Sequence, residues 1–190
     1  NLNDARNLAS LMSELDTLSI PSIVRVQGAA YGGAIGLIAC CDIAIAADNA
    51  RFCLSEVKLG LAPATISPFV INAIGARQCR KLFLTAEVFN AQSAKDYQLI
   101  HQVTSLNDLD EQITSTLKQI LQTGPCASKA AKKLVKEICA SNDDLSEMTS
   151  QLIASLRVSE EGQEGLSAFF EKRKPSWLHS NSSKLDGSND

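Results

Sequence analysis

Only two histidines occur in this 190-residue sequence, and aromatic residues make up just 5% of it. No two cysteines are spaced as CxxC, no GK[ST] tripeptide occurs, and no apolar run approaches the roughly 20 residues of a membrane-crossing helix. Each absence removes a class of function. His101 and His179 are far in sequence from the cysteines at 40, 41, 53, 79, 126 and 139, so no spaced metal-ligand set can be drawn and no metal is expected. With His101 in a predicted strand and His179 near the end of the chain, a Ser-His-Asp triad has no support. Without GK[ST] there is no phosphate-binding P-loop. The dinucleotide fingerprint GxGxxG also fails, because Tyr31 stands where its first glycine belongs. Gly and Pro number only 10 and 5, which excludes collagen-like and low-complexity classes. A net charge of −3 gives no global field for nucleic acid or an anionic membrane. The opening residues NLNDARNL have neither a signal peptide's apolar core nor an Arg-rich transit pattern.

What is present is the composition of a packed globule, 45% hydrophobic and 21% charged. The cysteines read as small buried apolar side chains in a reducing compartment, expected to be the cytoplasm, with the mitochondrial matrix as the alternative. Leu8, Leu11, Met12, Leu15 and Leu18 recur at helical spacing over 5–18. Ile23, Val24 and Val26 predict a strand running to Gly28. After a glycine-rich turn, Leu37–Cys41 is apolar on every side and predicts a buried helix ended by Asp42. Alternating Ile43–Ala46 and then Arg51–Ser55 predict two short strands. Helices are expected at 68–74, 77–85 and 91–97, a strand at 99–103, and a capping box at Asp108 and Glu111. Beyond Gly124-Pro125, a helix over 127–138 carries Lys129, Lys132, Lys133 and Lys136 on one face, which suits either a solvated surface or a phosphate contact. Helix is expected again over 145–174, broken near Gly162 and Gly165, and the polar tail 180–190 is expected to be disordered. No internal repeat is visible.

Two features could carry chemistry. A strand, the pair Gly32-Gly33 and a buried helix would aim backbone N–H groups and a helix dipole at one point, where a carbonyl oxygen gaining negative charge could sit. The same glycines could equally serve only tight packing. Glu56 follows an apolar strand and precedes the loop Val57–Pro63, and a carboxyl partly withdrawn from water suits proton transfer. A solvated glutamate at a strand end is the other reading.

Taken together, the segment GAAYGGAIGLIACCDIAIAADNARFCLSEVKLGLAP from Gly28 to Pro63 resembles the signature region of the crotonase, or enoyl-CoA hydratase/isomerase, family. The resemblance continues through Ala91-x-x-Ala-x-x-x-x-Leu-Ile to EGLSAFFEKRKP, residues 164–175, and so covers nearly the whole chain to Trp177. It implies an α/β fold, a spiral of ββα turns over 1–122, with a C-terminal helical trimerisation region at 123–178 and the tail at 179–190. It implies an acyl-CoA thioester as substrate, with coenzyme A part of that substrate and no separate cofactor, and homotrimers or hexamers as the assembly. By resemblance Gly33, beside Gly32, supplies one of two N–H groups that hold the thioester oxygen, and Glu56 is the second of the family's two catalytic glutamates. The first glutamate's position falls on Gly36, whose vacated space is expected to hold an ordered water. Lys172, with Phe169 nearby, matches a position near the coenzyme A 3′-phosphate in an adjoining subunit. Ala168, Phe169 and Phe170 are too apolar to be left exposed and are expected to reach that neighbour.

The family's other oxyanion donor lies in a turn upstream of the helix that opens this sequence. The chain starts without Met, so it is expected to begin partway into a longer product and not to complete a site alone. The wording Ser55–Pro68, with Ala64-Thr-Ile-Ser in place of a glycine-rich loop, resembles the hydratases of branched, carboxyl-bearing enoyl-CoAs (methylglutaconyl-CoA and γ-carboxygeranoyl-CoA). A hydratase of that kind is the expectation. An enoyl-CoA isomerase and a catalytically silent trimeric scaffold are the alternatives.

Overall fold

The computed structural model describes residues 1–178; the expectation of a disordered tail concerns residues outside that range, Ser180–Asp190. The chain divides into two units, one of 1–18 and 22–115, the other of 19–21 and 116 onward.

In the first unit the chain alternates between two sheets. Strand β1 (Ile23–Val26) pairs in parallel with β3 (Ile43–Ala47), which pairs in parallel with β6 (Gln102–Thr104). Strand β2 (Ala29–Tyr31) pairs in parallel with β4 (Arg51–Cys53), and β5 (Phe89–Asn90) joins β4 antiparallel. Between β1 and β2 the chain turns at Gly28, whose φ of 68° favours glycine. Each turn of the spiral is therefore a strand in one sheet, a strand in the other and a helix: β1–β2–α2 (Gly33–Cys40), then β3–β4–α3 (Ser67–Thr85). This is the expected α/β spiral. It is a repeat of topology that leaves no repeat in the sequence.

Strand β3 is buried from Ala44 to Ala47, each 1% exposed or less, so its Ile/Ala alternation is one of size and not of polarity. Asp42 fixes its start. The Asp42 carboxylate accepts from the Ser22 N–H (2.7 Å) and hydroxyl (2.9 Å), which ties the entry of β3 to that of β1. Ahead of β6, the Ala44 N–H donates to His101 Nδ1 at 2.9 Å, so an imidazole stands where a ladder carbonyl would be. Leu99 and Ile100, predicted as strand, are buried just before it.

Helix α1 (Leu2–Asp16) buries Met12 completely and half-buries Leu8 and Leu15, whereas Leu11 and Leu18 stay exposed. Helix α3 is interrupted at Gly75 (φ 76°, ψ 155°), between the two helices that the sequence predicts. Phe52 of β4 stacks on Phe89 of β5 at 5.4 Å in the middle of the core; burying one such side chain is worth about 1.5–3 kcal/mol. At the start of α5 (Leu109–Leu121), the Asp108 carboxylate accepts from Ser105 Oγ at 2.7 Å, a pairing that the Asp108/Glu111 reading did not foresee.

The second unit holds α6 (Pro125–Ala140), α7 (Ser146–Val158) and α8 (Glu160–Phe170). The predicted break near Gly162 and Gly165 falls instead at Ser159, whose hydroxyl caps α8 by accepting from the Gly162 N–H at 3.0 Å. Both glycines lie inside α8 for packing reasons: a Cβ at 162 would collide with the Leu156 carbonyl, and one at 165 would meet Trp177 at 3.1 Å. Helix α6 has Gly124 at its N-cap, and Glu161 supplies the missing acceptor to the N–H groups of Cys126 (2.8 Å) and Ala127 (2.7 Å). Of the lysine row, Lys129, Lys133 and Lys136 are exposed, and Lys132 donates to the Ile20 carbonyl at 3.1 Å.

Glu164 receives both guanidinium N–H groups of Arg173 and the Ser176 N–H, all at 2.7 Å. The Arg173 bonds hold its carboxyl at about 2, well below the ordinary 4.5. A depressed folded-state value stabilises above the unfolded value, and that contribution is lost as pH falls from 4.5 towards 2. Melting temperature against pH should therefore fall more steeply across that window in the native protein than in Glu164→Gln, by an amount that solvent screening keeps small. Parallel curves would contradict the pairing.

Candidate active site

The site grows from the ends of β2 and β4. Their register pairs Tyr31 with Cys53, and the next residue, Gly32, donates its N–H to the Cys53 carbonyl at 2.9 Å. That bond closes the ladder just as the chain must turn into a helix. Gly32 turns it with φ 53° and ψ −121°, a conformation that side chains rarely tolerate. Helix α2 starts at Gly33; in its first turn the Ile35 N–H donates to the Gly32 carbonyl at 2.9 Å, while no side chain caps the helix and the positive end of its dipole lies at Gly33. A Cβ on Gly33 would meet nothing within 4 Å, and its φ is not of the kind reserved for glycine. The packing of the first unit thus gives no reason for a glycine at 33, and the backbone there is open.

On the neighbouring strand the chain leaves Cys53, buries Leu54, and enters a 3₁₀ turn at Glu56–Leu59 where the sequence reading has a loop. Gly60, with φ 72°, ends that turn. The Leu61 N–H donates to the Glu56 carbonyl at 3.0 Å and holds the segment in place. The half-buried Glu56 side chain reaches back to Gly32: a Cβ there would lie 3.3 Å from Glu56 Oε1. The other oxygen, Oε2, is buried and has no hydrogen-bond partner among the described residues. An unpartnered buried carboxyl oxygen is costly unless something completes it. The carboxyl group as a whole lies against Gly32 through Oε1, so a reacting group above Gly33 could exchange a proton with Glu56 while an oxyanion rests on the N–H groups.

Gly36 differs from expectation. The space where its side chain would project is filled, with Ile66 Cγ2 at 2.5 Å, Met12 Cε at 2.6 Å and Ile66 Cβ at 2.8 Å from an added Cβ. Met12 is 0% exposed and Ile66 2%, so the anticipated water site is occupied by two aliphatic groups. The physical reason is that position 36 points from α2 towards α1 and the start of α3. In the sequence Met12 is visible only as part of an amphipathic helix. A signal for Ile66 did exist, in the bulky residue of Ala64-Thr-Ile-Ser where the family has glycines.

Lys172 and Phe169 belong to the second unit. Phe169 lies near the end of α8, and Lys172 follows that helix in a left-handed conformation (φ 56°). Phe169 and Phe170 are exposed at 77% and 75%, as expected, whereas Ala168 is already buried within the chain itself. The cysteines do not all behave as small core residues. Cys40, Cys53 and Cys79 are buried, but Cys126 and Cys139 are exposed, and a hydrogen bond to Glu161 pushes the Cys126 thiol up. Among the described residues no cluster could hold a metal ion, and no helix is long and apolar enough to cross a membrane.

A model of the enoyl-CoA hydratase/isomerase family matches residues 4–180. The chain is 31% identical over 173 residues to the mitochondrial enoyl-CoA hydratase domain-containing protein 3 of Xenopus laevis, covering 90% of this chain and 59% of that protein. It is 31% identical over 164 residues to the enoyl-CoA hydratase ACTT6 of Alternaria alternata, covering 85% and 55%. Among solved structures, an enoyl-CoA hydratase from Shewanella pealeana superposes with a TM-score of 0.88 at 51% identity, over 93% of this chain and 67% of that one. Pseudomonas aeruginosa AtuE gives 0.88 at 35% identity, over 91% and 68%. The chain spans little more than half the length of the curated relatives named, 59% and 55%.

Proposed function

Because this chain belongs to the enoyl-CoA hydratase/isomerase family, we propose that it serves an acyl-CoA hydratase, with Glu56 as acid–base and the Gly33 N–H as an oxyanion donor. The observation that carries this reading is the Glu56 carboxyl, with Oε1 against Gly32 at the start of α2 and Oε2 buried without a partner among the described residues. The thioester oxygen rests on the Gly33 N–H. Glu56 takes a proton from water as the hydroxyl oxygen bonds to the β-carbon, and the π electrons move onto the thioester as an enolate. The same carboxyl then returns the proton to the α-carbon. One water is consumed, Glu56 is regenerated, and no cofactor beyond the substrate's own coenzyme A takes part. General acid–base transfer supplies about 10²–10⁴-fold and the oxyanion donor a comparable share.

The substrate we propose is a 3-methyl-branched 2-enoyl-CoA with a terminal carboxylate. The likeness of Ser55–Pro68 to the branched-substrate hydratases supports it. The test follows both conjugated absorbance and product mass: the hydratase yields a product heavier by one water. The packing of Met12 and Ile66 beside Gly36 favours one further reading, an isomerase, because a site with a single carboxylate and an apolar wall can relay a proton from the γ-carbon to the α-carbon without water. A consumed substrate, unchanged mass and a migrated double bond would give the assignment to the isomerase.

Assembly is proposed as a homotrimer or hexamer, with Lys172 and Phe169 near coenzyme A of the adjoining subunit. The exposed Phe169, Phe170 and Val158 (76%) support it. Light scattering at micromolar concentration should give a multiple of three subunits, and Phe169→Asp/Phe170→Asp should give smaller species. A stable monomer in the native protein would contradict the assembly.

A further inference from the structure

The geometry points to Ile66, backed by Met12, as the residue that limits the site to one carboxylate and thereby sets whether water or an internal proton is handled. The inference rests on the acyl-CoA reading above. Gly33 and Gly36 are three residues apart on α2, so position 36 lies one turn along from the oxyanion donor, on the same side of the helix. A glycine inside a helix ordinarily sacrifices stability, and alanine there would normally raise it. Here the reverse is dictated by what surrounds it. Any side chain at 36 would lie 2.5 Å from Ile66 Cγ2 and 2.8 Å from Ile66 Cβ, both on a β-branched side chain with little freedom to move. The third neighbour, Met12 Cε at 2.6 Å, is the far end of a flexible chain and can swing aside.

Ile66 is therefore the rigid part of the bar. It is 2% exposed and occupies the N-cap position of α3 with φ −88°, a place where glycine is well accepted, so the side chain can be removed without breaking the helix start. While Ile66 stands there, no carboxylate can be carried at 36, and the wall it presents offers no hydrogen bond to a water. The proton traffic of the site must then pass through Glu56 alone.

The stability half of the test compares four full-chain proteins: native, Gly36→Ala, Ile66→Gly and Gly36→Ala/Ile66→Gly. We expect Gly36→Ala to lower the melting temperature in the native background, by about 3 °C or more, and to raise it by about 2–4 °C where Ile66 is already glycine. A shift of the same sign in both backgrounds overturns the steric claim. The functional half is read in Gly36→Glu/Ile66→Gly, whose ratio of hydrated to isomerised product should exceed that of Ile66→Gly by at least about tenfold, as a second acid–base group supplies. A merely structural role for Ile66 would leave that ratio unmoved and would overturn its role in specificity. Should the native protein turn over no enoyl thioester at all, the function reading fails with that half, and the sign of the melting shifts still decides whether Ile66 bars a side chain.

Discussion

Glu56→Gln should lower kcat by about 10²–10⁴-fold, with KM close to that of the native protein. Glutamine keeps the length and planar end of the side chain, so the fit against Gly32 survives, but the amide can neither take a proton from water nor return one to carbon. The substitution removes no protein hydrogen bond from Oε2, since that atom has none among the described residues. Melting temperature should accordingly move by no more than about 2 °C, which separates loss of chemistry from loss of fold. Steady-state kinetics and a melting curve on the same preparation check it. A variant within a few-fold of native activity would remove Glu56 from the mechanism.

Gly33→Pro should cost about 10²–10³-fold in kcat, the worth of one oxyanion donor. Position 33 is the first residue of α2, where proline is favoured because its missing N–H has no role in the helix. A Cβ there meets nothing within 4 Å, so the substitution deletes one donor without crowding at that atom. Gly33→Ala is the companion: it keeps the N–H and adds only a methyl group on the side a thioester would approach. If the donor matters, proline costs more than alanine while both proteins melt near the native temperature. Equal losses in the two variants would instead mean that crowding, and not the N–H, is what the site feels.

The parts of this molecule that sequence reveals are those decided locally. The apolar run of α2, the stop before Asp42, the division of α3 at Gly75 and the strand before Glu56 depend on neighbours within a few residues, and each element is present where the sequence expects one. The bounds differ, in that α2 begins at Gly33 and not Leu37 and the strand ends at Cys53 and not Ser55. Strand β2 was hidden because Ala29–Tyr31 is too short to show a pattern and exists only through its pairing with β4. The start of α6 was hidden for a like reason: its acceptor, Glu161, comes from 35 residues along the chain. Gly162 and Gly165 resemble breaks in a helix, and only the Leu156 carbonyl and the Trp177 ring explain why a continuous helix needs them. The site shows the same division. Glu56, Gly32 and Gly33 are marked by strand ends and a glycine pair, whereas the filling of the space at Gly36 comes from two residues on other helices and from nothing at position 36 itself.

In the proposed mechanism the N–H of Gly33 and the carboxyl of Glu56 converge on one acyl thioester. A crystal structure of the protein with a non-reactive enoyl-CoA analogue tests this most directly. The thioester oxygen should lie within about 3 Å of the Gly33 nitrogen, with a Glu56 carboxyl oxygen facing the α-carbon. An analogue bound with its thioester away from the start of α2, or with Glu56 turned from the α-carbon, would contradict it.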